Sequence, residues 1–442
     1  MFPTAFRLAT AGAAAIAATG VAASELWALR TGRQQSVAVS LRDAAAALLS
    51  DRYLSIDGRE PPSAWASISG FYRTRDGRWI QLHCNFPHHR DGVLRVLGCE
   101  DNKKSVAKAV AKWEGQALED RLAAEGMTIG LVRTAAEWAT HPQAQAVAQL
   151  PLFEIVKIAG SAPEPLPMGD RPLSGVRVLD LTRVIAGPVG GRTLAEHGAE
   201  VMRVTSPHLP GFPDGLDIDM GHGKRSAYVD LRNEPGRETL YRLIEGSDVF
   251  LQAYRPGSLT SRGFSPEELA ARRPGIVYAT LSAYGHVGPW RERRGFDSLV
   301  QSVTGIVAEE GPALRDGPDG LQSHEAPHHL PAQAIDYVSG YLLAFGIMTA
   351  LARRAREGGS YLVRVSLAQT GRWIQGLGRT PFQPEGLPRL DDSAEGVADL
   401  MTETGSAFGR LRFLKPAVSL SETPPRWERA SEPLGSSEAR WA

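Results

Sequence analysis

The residues that invite chemistry in this chain stand at the ends of apolar runs. Asp336, in PAQAIDYVSG, is a carboxylate just ahead of an apolar, helix-like stretch. An aspartate so placed can attack an activated acyl group, or it can serve as a first-turn charge at a helix N-terminus. A second candidate is the loop TRVIAGPVGG after the apolar run VRVLDL. Arg183, Val184, Ile185 and Ala186 occupy the position where, in an open α/β sheet, a strand end and a helix N-terminus together accept phosphate. Gly187 and Gly190 permit close backbone approach there, although a plain tight turn fits the pattern equally well. Basic residues recur at other strand ends: Arg203, Lys224 and Arg225, Arg255 and Arg262. Each alone reads as solvated surface, but five cations around one sheet edge suit a ligand with several phosphates.

The segment HCNFPHH gathers His83, Cys84, His88 and His89, whose atoms zinc accepts. His83 and Cys84 are adjacent on a strand candidate, so their side chains leave on opposite faces, and no second ligand pair follows at conventional spacing. The expectation is a strand end with polar loop histidines and no metal. A Cys–His nucleophilic pair lacks an orienting third group. GxGxxG does not follow the first core strand, and neither G-x4-G-K-[ST] nor H-E-x-x-H occurs, which weighs against the ordinary nicotinamide and P-loop readings.

These residues need a sheet edge to position them. From Val176 the chain alternates strand and helix: VRVLDL, then the loop and RTLAEHG, then AEVMRVTS, a βαβ unit with a right-handed crossover. Further strands are predicted at AYVDL, DVFLQAY and GIVYATLSAY. Helices are predicted at GRETLYRLIEG, at SPEELAARR behind the start signal Ser265-Pro266-Glu267-Glu268, and as one element over FDSLVQSVTGIVAEEG. Upstream, FYRTRDGRWIQLH places a turn at Arg75-Asp76-Gly77 between two strands. SVAKAVAKWEGQALEDRLAAEG is helical as far as Gly126, and GLVRTAAEWATHP adds a short strand and helix. The Pro- and Gly-rich stretch from Ser161 to Gly175 reads as a linker, the stretch from Pro312 to Pro331 as a loop, and the tail beyond Arg379 as an extended arm.

The 442 residues suffice for two or three domains. With 49 basic and 49 acidic side chains the formal net charge is zero, which argues against wrapping nucleic acid. A hydrophobic content of 43% rules out disorder along the whole chain. Two cysteines make no disulfide framework and point to a reducing cytoplasm. The Ala-rich stretch after Arg7 is too weakly apolar for a signal peptide and reads as a buried helix. No stretch reaches spanning length, so no membrane association is expected. An internal match supports the buried helix. The segment ending in TGRQQSVAVSL and the segment ending in EGGSYLVRVSL align at a constant offset of 326, with Gly20 on Gly346, Gly32 on Gly358 and Ser40-Leu41 on Ser366-Leu367. Thr10 then stands where the second copy has Asp336. The resulting organisation is a helix–turn–strand segment over 1–60 repeating the 336–366 pattern, a small α/β domain over 61–165, a linker over 166–175, a Rossmann-like core over 176–379, and an arm over 380–442.

Taken together, RPLSGVRVLDLTRVIAGPVGGRTLAEHGAEVMRV, HGKRSAYVDL, YRPGSLTSRGFSPEEL, YATLSAYGHVGPW and RRGFDSLVQSVTGI resemble the class III coenzyme A transferases, also named the CaiB/BaiF family. GRQQSVAVSL, FYRTRDGRWIQLH and GLVRTAAEW resemble the distal half of the same family, so the segment order is permuted or partly duplicated. The resemblance implies a Rossmann-like parallel-sheet core with a smaller α/β domain, and two subunits interlocked as a homodimer. It implies an enzyme that moves CoA from an acyl-CoA thioester to a free carboxylic acid through an aspartyl mixed anhydride and an aspartyl-CoA thioester. Coenzyme A is then a substrate, and no cofactor is permanently bound. By the same resemblance the acylated aspartate is Asp336. The CoA contacts fall on Arg183, Val184, Ile185, Ala186, Arg203, Gly223, Lys224, Arg225, Ala253, Tyr254, Arg262, Ser282 and Tyr284. The chain departs from the family pattern at Ala253, often Asn, and at Thr205, often Glu, and the glycine-rich loop of oxalate-using members is not recognisable. GFDSLVQSVTG also resembles the α-methylacyl-CoA racemases of the same superfamily, which carry a proton-shuttling histidine where Phe296 stands. A non-catalytic partner subunit is a third reading.

Overall fold

A computed structural model describes residues 2–62, 65–209, 211, 214–315, 326–380 and 396–442. Its centre is a seven-stranded sheet in the order 153–159, 360–366, 277–282, 249–252, 177–180, 200–205, 224–228. The six strands from Arg177 onward are parallel, and Phe153–Ala159 lies antiparallel on the edge against Ser360–Ser366. Counted along the chain, the six parallel strands lie 3-2-1-4-5-6, the doubly wound order. Its switch point, where a crevice opens at the carboxyl ends of the strands, lies between Arg177–Asp180 and Val249–Gln252. The short apolar runs read as strands because both faces are covered. Val178 belongs to one core and its neighbour Leu179 to another, as side-chain alternation requires.

Two helices on one face carry the site. Ala186–Glu196 follows the first core strand, and the long helix Ala334–Glu357 lies against it. They approach closely because both carry glycine at the crossing. A Cβ on Gly340 would stand 2.4 Å from the Ala186 carbonyl oxygen, and one on Gly190 3.3 Å from the Gly340 carbonyl. The stretch FDSLVQSVTGIVAEEG forms two helices, Asp297–Val303 and Ile306–Arg315, not one. Gly305 separates them at φ +93, outside the helical region. The segment 316–325, within the expected loop from Pro312 to Pro331, lies outside the described residues.

The repeat is present in three dimensions. Leu8–Thr31 and Ala334–Glu357 are both 24-residue helices, each followed by a glycine, and their two ends are related by the same offset of 326. Ser40 and Ser366 then cap the next helix alike, accepting the backbone N–H of Asp43 and of Gln369. The two long helices pack against each other. Both are long and apolar enough to cross a membrane by length and composition, which corrects the expectation that nothing reaches spanning length. The second is almost entirely buried and the first a little over half.

Gly70–Arg73 and Trp79–Leu82 form the expected hairpin, with Gly77 at φ +75, and Ile129–Leu131 adds a third strand. The tail is more ordered than an extended arm. Met401–Ser406 and Gly409–Leu414 pair as a hairpin, and Val418–Leu420 pairs with Val37–Val39. Alternation in MTETGSAFGRLRFL is the signal that the Pro-rich surroundings obscured. Residues 381–395 of that arm lie outside the described residues.

Candidate functional site

The loop after the first core strand is built around Asp180. Its buried carboxylate accepts the Thr182 backbone N–H at 2.9 Å and the Thr182 hydroxyl, folding the chain back at the strand end. Lys224 Nζ meets the same carboxylate at 2.8 Å and the Pro188 carbonyl at 2.8 Å. The turn leaves Val184 at φ +74, a conformation that a β-branched residue adopts only under constraint, and such strain gathers at functional loops. Gly187 serves this turn more than a ligand, since its Cβ would lie 2.4 Å from Thr182.

At the switch point, Arg183 and Val184 face Ala253, Tyr254 and Ser282 across a cavity of about 340 Å³. A second cavity of about 190 Å³ shares Leu181, Leu209, Tyr254 and Ser258 with the first and reaches Arg262. The two make one elongated groove over the carboxyl ends of the strands. Its cations are Arg183, Arg255, Arg291, Arg293 and Arg294 at one end and Arg232 and Arg262 at the other. Burial lowers the pKa of Arg183, and burial beside Arg255 lowers that of Arg294. Such partly desolvated guanidinium groups bind an anion more tightly than solvated ones do.

Part of the wall comes from the chain upstream of the core. Phe86, His88 and His89 line the larger cavity. Arg183 lies over the Phe86 ring at 5.2 Å, and Arg294 donates to His89 Nε2 at 2.8 Å. His83 stacks on Phe296 at 4.0 Å. Burial holds His83 at a pKa of about 4 and, with His88 and Arg294 nearby, His89 at about 3, so both are neutral at pH 7. Among the described residues, no three His, Cys, Asp or Glu side chains are grouped to hold a metal ion. His88 and His89, read from the sequence as loop histidines, line the groove, and Phe86, Arg291, Arg293 and Arg294 are groove residues that sequence reasoning missed. The run RERRGFD ahead of a helix was the available signal.

The remaining sequence-derived contacts divide. Ile185 and Ala186 form the buried N-terminal end of Ala186–Glu196, next to the groove but not on its wall. Arg203 is buried and paired with Asp217 at 2.5 Å, near Arg183. Gly223, Lys224 and Arg225 lie elsewhere, because they open a parallel strand and so sit toward its amino end. Lys224 is 2% exposed and committed to Asp180, and burial lowers its pKa to about 8. Arg225 pairs with Glu200 at 3.4 Å and the Arg440 carbonyl at 3.0 Å, while the Gly223 N–H donates to Arg429, so the C-terminal tail covers this end. Tyr284 is buried against Trp290 and is also absent from the groove wall.

Asp336 occupies the first turn of Ala334–Glu357 and is buried. Among the described residues no hydrogen-bond donor meets its carboxylate. Asp297, adjacent in sequence to the groove residue Phe296, stands beside it: Asp297 Oδ2 accepts the Asp336 backbone N–H at 2.8 Å. Burial first, and then the Asp297 charge, hold the Asp336 carboxyl well above the usual range. Asp336 lines neither cavity; a buried carboxyl perturbed in this way is a functional candidate on physical grounds.

A family model described as CoA-transferase family III matches residues 3–152 and 173–380. An acetyl-coenzyme A transferase, nodX, of Hypoxylon pulicicidum is 31% identical over 70% of this chain and 54% of its own length. A probable fatty acyl-CoA transferase of Mycobacterium tuberculosis, Rv3272, is 35% identical over 46% of this chain and 52% of its own. A succinyl-CoA–D-citramalate CoA-transferase of Chloroflexus aurantiacus is 32% identical over 45% of this chain and 49% of its own. The chain thus spans about half the length of these relatives. The crystal structure of Rv3272 shares 33% identity at a TM-score of 0.41, covering 47% of this chain and 58% of that one.

Proposed function

Because this chain belongs to CoA-transferase family III, we propose that it transfers coenzyme A from an acyl-CoA thioester to a free carboxylic acid, with Asp336 as nucleophile. The observation that carries the reading is a cationic groove at the switch point whose wall residue Phe296 is followed by Asp297, which accepts the backbone N–H of Asp336, a buried carboxyl that meets no hydrogen-bond donor among the described residues. The groove cations hold the coenzyme's phosphates, with the pantetheine arm running past Phe296 toward Asp336. Ionised Asp336 attacks the thioester carbonyl; its oxygen bonds to the acyl carbon, the C–S bond breaks, and CoA leaves as thiolate. The thiolate then attacks the aspartyl carbonyl carbon and displaces the acyl group as its carboxylate, leaving an aspartyl-CoA thioester. An acceptor carboxylate takes the CoA by the reverse pair of steps. The site residues supporting this reading are Arg183, Val184, Ala253, Tyr254, Arg262 and Ser282, joined by Arg255, Arg294, Phe86 and Phe296. Lys224 and Arg225 have internal partners and are left out of the contact set.

Asp336→Asn tests it. The neutral amide is nearly isosteric but cannot form the anhydride, so CoA transfer from acyl-CoA to acid falls to background while CoA binding by calorimetry stays within a few-fold. Full transfer by the Asn variant overturns the assignment.

A further inference from the structure

Asp297 and Asp336 form a pair of buried carboxyl groups, and the pair is built asymmetrically. Asp297 is surrounded by donors: the backbone N–H groups of Ile335 and Asp336 at the helix N-terminus, and the Gln301 amide, which donates to Oδ1. Gln301 is itself fixed, its carbonyl accepting the Leu330 N–H at 2.9 Å. Burial raises the pKa of the Asp297 carboxyl to about 7, and these donors, with the positive end of the long helix, pull in the other direction and favour its ionised form. Asp336 has no such donors and feels the Asp297 charge. The other charged groups around this helix turn meet Tyr337 instead: Asp51 accepts its hydroxyl at 2.7 Å, with Arg192 and Asp219 alongside. Arg183, on the neighbouring loop, faces Tyr254, Asp217 and Arg203. On the helix packed behind, Leu367–Gly376, the contact is neutral, Ser339 to Thr370 at 2.8 Å.

We infer that Asp297, held on the helix N-terminus, is the first of the pair to ionise, and that its charge sets the pH at which Asp336 becomes a carboxylate able to attack. This rests on the reading of Asp336 as nucleophile. Asp297 touches no reacting atom in this scheme and acts as a positioning residue; it is not a second nucleophile. Once Asp297 has ionised, the pair carries one charge until Asp336 releases its proton to solvent, since two like charges so close in a buried site do not ionise independently. The direction of the effect follows. Removing the Asp297 charge lowers the pKa of Asp336, so the ionised nucleophile persists to lower pH.

The test is the pH dependence of Asp336 labelling, measured by hydroxylamine trapping with acyl-CoA, in the natural chain and in Asp297→Asn. Asn keeps one acceptor for the helix N–H. The acidic limb of the labelling rate should move down by about one pH unit or more in the variant. A purely structural role would lower the amount labelled without moving the limb, and an unmoved limb overturns the inference. No label on Asp336 at any pH in the natural chain overturns the nucleophile reading instead. Should Asp297→Asn fail to fold, infrared difference spectra of the natural chain and Asp336→Asn decide. A protonated-carboxyl band at neutral pH that vanishes in Asp336→Asn supports the pair, and an unchanged spectrum contradicts it.

Discussion

Two arginines and one lysine separate binding from architecture. Arg183 and Arg294 line the groove, whereas Lys224 lies under the loop as the counter-ion of Asp180. Charge-assisted hydrogen bonds are worth about 1.5–3 kcal/mol, so Arg183→Gln or Arg294→Gln is expected to raise KM for acyl-CoA about tenfold or more with little change in kcat, and more so at low salt. Lys224→Gln should leave KM nearly untouched in whatever folds. It strands a buried carboxylate and should cost about 3–5 kcal/mol in urea unfolding. A large KM effect with normal stability for Lys224→Gln would reverse these roles. The sequence order placed Lys224 ahead of its strand and Arg183 after one, but not the buried partner of each: that Lys224 is committed to Asp180 depends on the packing of two strands against the loop. In a parallel sheet the residue after a strand, Arg183, lies at the groove and the residue that opens one, Lys224, lies at the opposite end; Arg294 reaches the groove from the loop ahead of Asp297–Val303. Asp336 was legible only through family register, since an aspartate in a first helical turn is commonplace.

At the scale of elements, the site depends on how closely two helices approach. Gly340 lets Ala334–Glu357 lie on Ala186–Glu196, which fixes both the strained Val184 loop and the turn bearing Asp336. Gly340→Val would drive side-chain atoms into the Ala186 carbonyl and should destabilise the protein by about 1–3 kcal/mol or more. Gly376→Ala, where a Cβ meets nothing within 4 Å, is the matched control and should be near neutral in the same thermal melt. Equal melting temperatures for the two would contradict this packing account. Most core elements were legible from their apolar periods, because a parallel sheet buried on both faces leaves continuous apolar runs. The break at Gly305 was not, because one glycine inside an apolar period is also compatible with an unbroken helix. The edge strand Phe153–Ala159 escaped notice for a related reason: half-exposed and antiparallel, it lacks the continuous apolar run of its neighbours.

For the molecule as a whole, the repeat is the organising fact. Two 24-residue helices pack together, but only the second bears a carboxylate in the matching first-turn position, Asp336, the first having Thr10. The upstream half is joined to the core through buried polar contacts, with Ser50 donating to Asp219 at 2.6 Å and Asp51 bonded to Tyr337, and it supplies Phe86, His88 and His89 to the groove. The helix Leu8–Thr31 leaves Val21 and Leu29 exposed, 57% and 36%. We propose the interlocked homodimer that the family resemblance implies. Sedimentation should give twice 47.7 kDa at micromolar concentration. A single 47.7 kDa species there would contradict it. The offset of 326 was readable from the sequence, but the helix-on-helix contact it produces was not, because a short self-match carries no information about which copies touch.

The measurement that bears most directly on the central claim is chemical trapping on the natural chain. The protein is incubated with an acyl-CoA, quenched with hydroxylamine, digested, and the peptides spanning Pro331 to Arg353 and Gly295 to Thr304 are sequenced by mass spectrometry. A hydroxamate on Asp336, dependent on acyl-CoA and absent from the Asp297 peptide, is the predicted result. Transfer activity with no adduct on Asp336, or with the adduct on Asp297, would contradict it.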